Sequence, residues 1–155
     1  MKKIVLALLL VMGVAGSAYG AGTVAITTTN FGPESPSKYY TVTYTWTADA
    51  SDGSVPATAA QFPYGGYIVR VVTNPGTNAP SDNYDLTLTD ADGVDVVGGA
   101  LANRDTSNTE SVVPIVDSVN SIYGGSLVAG SITMNLTNNS VNSAGGTLVI
   151  YVERR

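Results

Sequence analysis

Apolar and polar residues alternate with period two along most of this chain. Tyr40, Val42, Tyr44 and Trp46 fall on one side of an extended segment, and Thr41, Thr43, Thr45 and Thr47 fall on the other. Successive side chains of a strand point to opposite faces, so the pattern predicts a buried aromatic face and a threonine face. Threonine suits the outer face because its branched Cβ favours extended backbone. The same alternation marks residues 84–89, 132–137 and 148–153 as strands. Residues 24–28 and 67–73 also read as strands, the second apolar on both faces and therefore central.

Turn residues punctuate these runs. Asp52-Gly53, Gly65-Gly66, Asn74-Pro75-Gly76, Asp92-Gly93, Gly124-Gly125 and Gly145-Gly146 supply positive or preset φ where the chain must reverse. Residues 49–60 and 74–83 read as loops. Residues 111–116 read as an edge strand because of Pro114, while the spacing of Ile115, Val116, Val119, Ile122 and Tyr123 leaves a helix as the alternative. Short strands with frequent turns predict an all-β domain, a single antiparallel β-sandwich of immunoglobulin-like or jelly-roll-like type.

The first twenty residues follow a different logic. Lys2 and Lys3 precede an apolar run from Ile4 to Ala15, and small residues surround Ala18 and Gly20. This is the layout of a secretory signal peptide, residues 1–20, cut before Ala21. The run is shorter than the roughly 20 residues of a membrane span. The β-sandwich domain is then residues 21–155, with no integral membrane segment after cleavage. The expected location is the periplasm, the cell surface or the extracellular space. Removal of Lys2 and Lys3 leaves five bases against 12 acids, a formal net charge of −7.

Composition narrows the chemistry. The chain has no histidine and no cysteine, which excludes imidazole-based triads, thiolate nucleophiles, disulfides and zinc knuckles. Scattered bases without a basic face argue against nucleic acid as a partner. Charged residues are 12% of the chain, about half the usual share of roughly 25%. Strand faces and edges so poor in charge offer little resistance to pairing with protein partners or with further copies.

The acidic turn is the main candidate site. Asp90, Asp92 and Asp95 surround Gly93 and could converge on calcium, a cation that takes oxygen ligands. The same residues also read as a hairpin turn joining strands 84–89 and 94–97, with Gly93 left-handed. The EF-hand pattern is absent, since Leu101 stands where its glutamate would be. Ser35-Pro36-Ser37-Lys38 and Ser81-Asp82-Asn83 match motifs of serine β-lactamases. Pro36 and the following strand are the wrong context for that chemistry, and no second lysine of the mature chain can complete it. No other cofactor is implied, and the chain reads as non-enzymatic. Trp46 and nine tyrosines raise a carbohydrate reading. Tyr40, Tyr44 and Trp46 share the expected buried face, whereas Tyr64 and Tyr67 flank Gly65-Gly66 and should be partly exposed. Asn135-Leu136-Thr137 and Asn138-Asn139-Ser140 match the glycosylation triplet but read as a strand end and turn.

The run Asp82-Asn83-Tyr84-Asp85-Leu86-Thr87-Leu88-Thr89, continued by Asp90-Ala91-Asp92-Gly93-Val94-Asp95 and Gly98-Gly99-Ala100-Leu101-Ala102-Asn103-Arg104, resembles small β-rich proteins of phage and prophage genomes. So does Leu136-Thr137-Asn138-Asn139-Ser140-Val141-Asn142-Ser143-Ala144 with the strand after it. The resemblance spans residues 66–153 and rests on turns and strands. It implies a virion structural protein of a tail or capsid surface and brings no catalytic residues. A leader peptide departs from that pattern, because virion subunits assemble in the cytoplasm. Mass spectrometry of the protein from its native host is expected to find Ala21 at the N-terminus; an intact Met1 or Lys2 would contradict export.

Overall fold

The computed structural model describes residues 20–31 and 37–154. The expected leader, apart from Gly20, lies outside the described residues. Nine strands follow in chain order: β1 (Thr23–Phe31), β2 (Tyr39–Thr47), β3 (Thr58–Pro75), β4 (Asp85–Thr89), β5 (Glu110–Val112), β6 (Ile115–Asp117), β7 (Ile122–Tyr123), β8 (Ser126–Thr137) and β9 (Gly145–Glu153). Seven strands form one sheet in the order β1-β2-β9-β3-β8-β4, with β5 on the flank of β3. β6 and β7 form a separate hairpin. Every pairing is antiparallel, and the described residues contain no helix. The all-β antiparallel class expected from the alternation is the class the chain adopts.

β3 departs most from expectation. Its start at Thr58 lies in a stretch that reads as loop, and it continues through Pro63 and then through Gly65-Gly66, a pair that reads as a turn. The first half pairs with β8 and the second with β9, the two ladders overlapping at Tyr67 and Ile68. The register with β8 breaks between Phe62 and Gly66. Pro63, which has no N–H to give, falls inside that break. Gly66 has φ 129°, and a Cβ there would stand 2.3 Å from the Glu153 carbonyl oxygen. Only glycine fits that approach.

Side chains meet across strands that the sheet order keeps apart. In a flat sheet of this order β2 and β8 would lie three strand spacings apart, about 14 Å. Instead the Tyr44 hydroxyl on β2 donates to the Ile132 carbonyl on β8 at 2.8 Å. Likewise the Trp46 and Tyr84 rings lie 6.1 Å apart, although their strands are near opposite edges. Tyr40, Val42, Tyr44 and Trp46 are buried as expected, and so are Ile132, Met134, Leu148 and Ile150. Burial pushes the Tyr84 phenol up to about 12 and raises that of Tyr44 as well, so both stay protonated at neutral pH. A core Trp such as Trp46 is worth roughly 3–5 kcal/mol against alanine.

Three local expectations are corrected. Residues 94–97 do not form a strand beyond a single bridge of Asp95 with Thr89. The stretch 111–116 is split at Val113-Pro114 into β5 and β6, because Pro114 lacks the N–H a ladder needs. Thr41, on the expected outer face, is buried. Its register neighbour is Tyr151 and its diagonal neighbour is Phe31, and those rings stack with centroids 6.1 Å apart.

Two glycines with positive φ separate strain from collision. Gly93, with φ 80°, has open space around its missing Cβ. Gly93→Ala is expected to cost about 1 kcal/mol, the strain of left-handed backbone. Gly66→Ala is expected to cost roughly 3 kcal/mol or more, because backbone must also move. Equilibrium denaturation of the two variants measures the difference.

Candidate functional site

The acidic turn follows β4. The Gly93 amide donates to the Asp90 carbonyl at 3.1 Å, and the Asp90 amide to the Val94 carbonyl at 3.0 Å. The Asp90 carboxylate accepts from the amides of Asp92 and Val94 at 3.0 and 2.9 Å. The Asp95 carboxylate accepts from the amides of Leu88, Val97 and Gly99 at 3.1, 3.3 and 2.7 Å. The bonds from Val97 and Gly99 turn the chain where a second strand would otherwise have continued, while the bond from Leu88 ties the turn to β4. Asp92 is exposed. Asp90 and Asp95 are thus engaged with backbone donors of their own turn. Among the described residues, no group of three or more carboxylates could hold a metal ion.

The other sequence motifs are dispersed. Lys38 pairs with Glu153 at 2.9 Å, where β2 begins and β9 ends. The Ser81 hydroxyl accepts from the Ser140 amide at 2.9 Å, in loops beyond the opposite strand ends. Ser35 and Pro36 lie outside the described residues. Asn135 projects from β8 and donates to the Thr89 hydroxyl at 3.2 Å. Asn139 donates to the Gly53 carbonyl at 2.7 Å and holds the β8–β9 turn to a neighbouring loop. The carboxyls of Asp49, Asp105 and Asp117 are lowered by hydrogen bonds from Ser51, Ser107 and Asn120 respectively. A general acid would need the opposite shift.

The edges of the sheet differ sharply. β4 has its outer side covered by the segment after it. The Leu86 amide donates to the Leu101 carbonyl at 3.0 Å, the Val96 amide to the Leu88 carbonyl at 2.8 Å, and Asp95 receives the Leu88 amide. Among the described residues, β1 has no such cover and pairs with β2 alone, and eight of its nine residues are exposed. It carries no charge and no proline. Ile26, the register partner of the buried Tyr44, is itself 38% exposed.

Two other surfaces expose apolar side chains. On the outer face, Phe31, Tyr39, Val69, Arg70 and Tyr151 line a shallow hollow of about 340 Å³. Beside β5 the β6–β7 hairpin exposes Val116, Ile122 and Tyr123. It borders a second hollow of about 560 Å³ that reaches Arg104 and Ser111. The outer-face aromatics were readable by parity alone. Tyr39 and Tyr151 are odd-numbered in strands whose even positions form the core. No family model matches the chain, and neither does any curated protein or solved structure.

If Asp95 serves as an edge cap, Asp95→Ala should cost about 1–3 kcal/mol, the penalty for stranding amides that bonded a charged acceptor. Asp92→Ala should stay within about 0.5 kcal/mol. Melting curves in calcium and in chelator should superimpose for the wild type. A rise in calcium, lost in Asp92→Asn, would restore the metal reading.

Proposed function

We propose that this protein is a non-enzymatic structural module that assembles edge to edge, β1 of one copy pairing with β1 of another. The bent sheet then serves as the two layers of a β-sandwich, with β1 overhanging its partner layer. The observation that carries the reading is β1 itself. A nine-residue edge strand without charge or proline, and with no cover among the described residues, is what monomeric proteins avoid. The covered β4 edge supplies the contrast within the same sheet. Pairing about Thr27 would set Ile26 against Thr28 of the partner subunit and satisfy main-chain groups that otherwise bond water. The resemblance to phage structural proteins agrees with an assembly role, and the leader-like N-terminus agrees with assembly outside the cytoplasm.

Light scattering across a concentration series tests this reading. The chain beginning at Ala21 is expected to pass from monomer to dimer or larger. Thr27→Lys sets like charges face to face across a two-fold strand pair, so it should hold the protein monomeric without lowering its melting temperature. A wild type that stays monomeric throughout, or a Thr27→Lys variant that associates equally, contradicts edge pairing.

A further inference from the structure

The outer face of the sheet is threonine over most of its area, with Thr27, Thr43, Thr45 and Thr147 in register. At one end it changes character. Phe31 and Tyr39 are register partners, and Tyr151 and Arg70 are partners one row further in. The Phe31 and Tyr151 rings are parallel within 3°. The Arg70 guanidinium lies 5.4 Å from the centre of the Tyr151 ring, and the Lys38 ammonium lies 5.4 Å from that of Tyr39. Phe31 is 43% exposed and Tyr39 is 45% exposed. The core does not need these rings, since the same strands bury their other faces.

Charge is distributed to match. Lys38, Arg70 and Arg154 gather at this end, leaving Arg104 as the one other base among the described residues. Glu153 neutralises Lys38. Arg70 forms no ion pair among the described residues, and its Nε donates to the Ser111 hydroxyl at 2.7 Å. Arg154 belongs to the other face, over the rings of Tyr40 and Tyr64 at 5.1 and 3.5 Å from their centres. The outer strip therefore combines its rings with one cation of its own, Arg70, and a Lys38–Glu153 pair at the rim, on a chain whose formal net charge is −5.

We propose that this strip binds an acidic polysaccharide. Pyranose rings present apolar C–H faces that pack against aromatic side chains, and the rings here stand close enough to serve consecutive sugars. The strip crosses from β1 to β3, about 14 Å, room for about three sugar units in a row. Arg70, with guanidinium donors beyond the bond to Ser111, meets a sugar carboxylate, and Lys38 stands at the rim. The hollow along these residues is apolar with cations at its margin, the composition expected of a saccharide site rather than of a protein core. Because the chain as a whole repels polyanions, binding of one must come from a local site.

Affinity electrophoresis of the intact protein through gels holding polygalacturonate or alginate tests the proposal, with dextran as the neutral control. Retardation is expected in the acidic gels and not in dextran. Arg70→Gln and Tyr151→Ala should each weaken it about tenfold, the loss of one cation or ring contact. Arg70→Gln changes an exposed side chain and should keep the wild-type melting temperature. Thr27→Lys should bind as the wild type does, which separates this site from edge pairing. Passage through every acidic gel without retardation, equal retardation in dextran, or wild-type retardation of Arg70→Gln would overturn the proposal.

Discussion

The bend in β3 is the constraint on which the rest of the structure depends. A single strand serves β8 with its first half and β9 with its second. That sharing is sterically open only where Gly66 lets the Glu153 carbonyl approach. Without the bend, the Tyr44 hydroxyl could not reach the Ile132 carbonyl, and the apolar faces of β2 and β8 would both look at water. The chain has no disulfide to substitute for this closure. Its stability therefore rests on one core, and that core exists because one strand changes neighbours.

The bend also decides which edges stay open. Tyr44 of β2 reaches β8 and Trp46 of β2 meets Tyr84 beside β4, while Ile26 of β1 stays 38% exposed. On the β4 side the chain spends an aspartate and a run of turns on closing the edge. On the β1 side it spends nothing, and even proline and lysine, the cheapest guards of a free edge, are missing. The outer face repeats the asymmetry, threonine for most of its area and aromatic with cations at one end. A sheet built only to be stable would show neither feature.

The alternation at Tyr40, Val42, Tyr44 and Trp46 was fully legible, because one side of β2 is buried and the other is not. β4, β9 and the second half of β8 were legible for the same reason, whereas residues 24–28 of β1 read as a strand although eight of its nine residues are exposed. The first half of β3 was not legible. Pro63 and Gly65-Gly66 carry the chemistry of a turn, and a bent strand uses those residues just as a turn does. The 94–97 segment misled in the opposite way: its valines suit a strand, but the Asp95 carboxylate captures the amides that a ladder would use. As for the sites, Asp90, Asp92 and Asp95 looked like ligands because local sequence does not reveal which backbone donors will face a carboxylate. The exposed end of the outer face was half legible in the parity of Tyr39 and Tyr151. Phe31 and Arg70 join it only through the register of four strands.

Amide hydrogen exchange as a function of protein concentration tests edge pairing most directly. The backbone of Thr23–Phe31 should gain protection as concentration rises, while β4, already bonded on both sides, should not change. Protection in β1 that is independent of concentration, or a gain confined to the β6–β7 hairpin, would contradict assembly through the β1 edge.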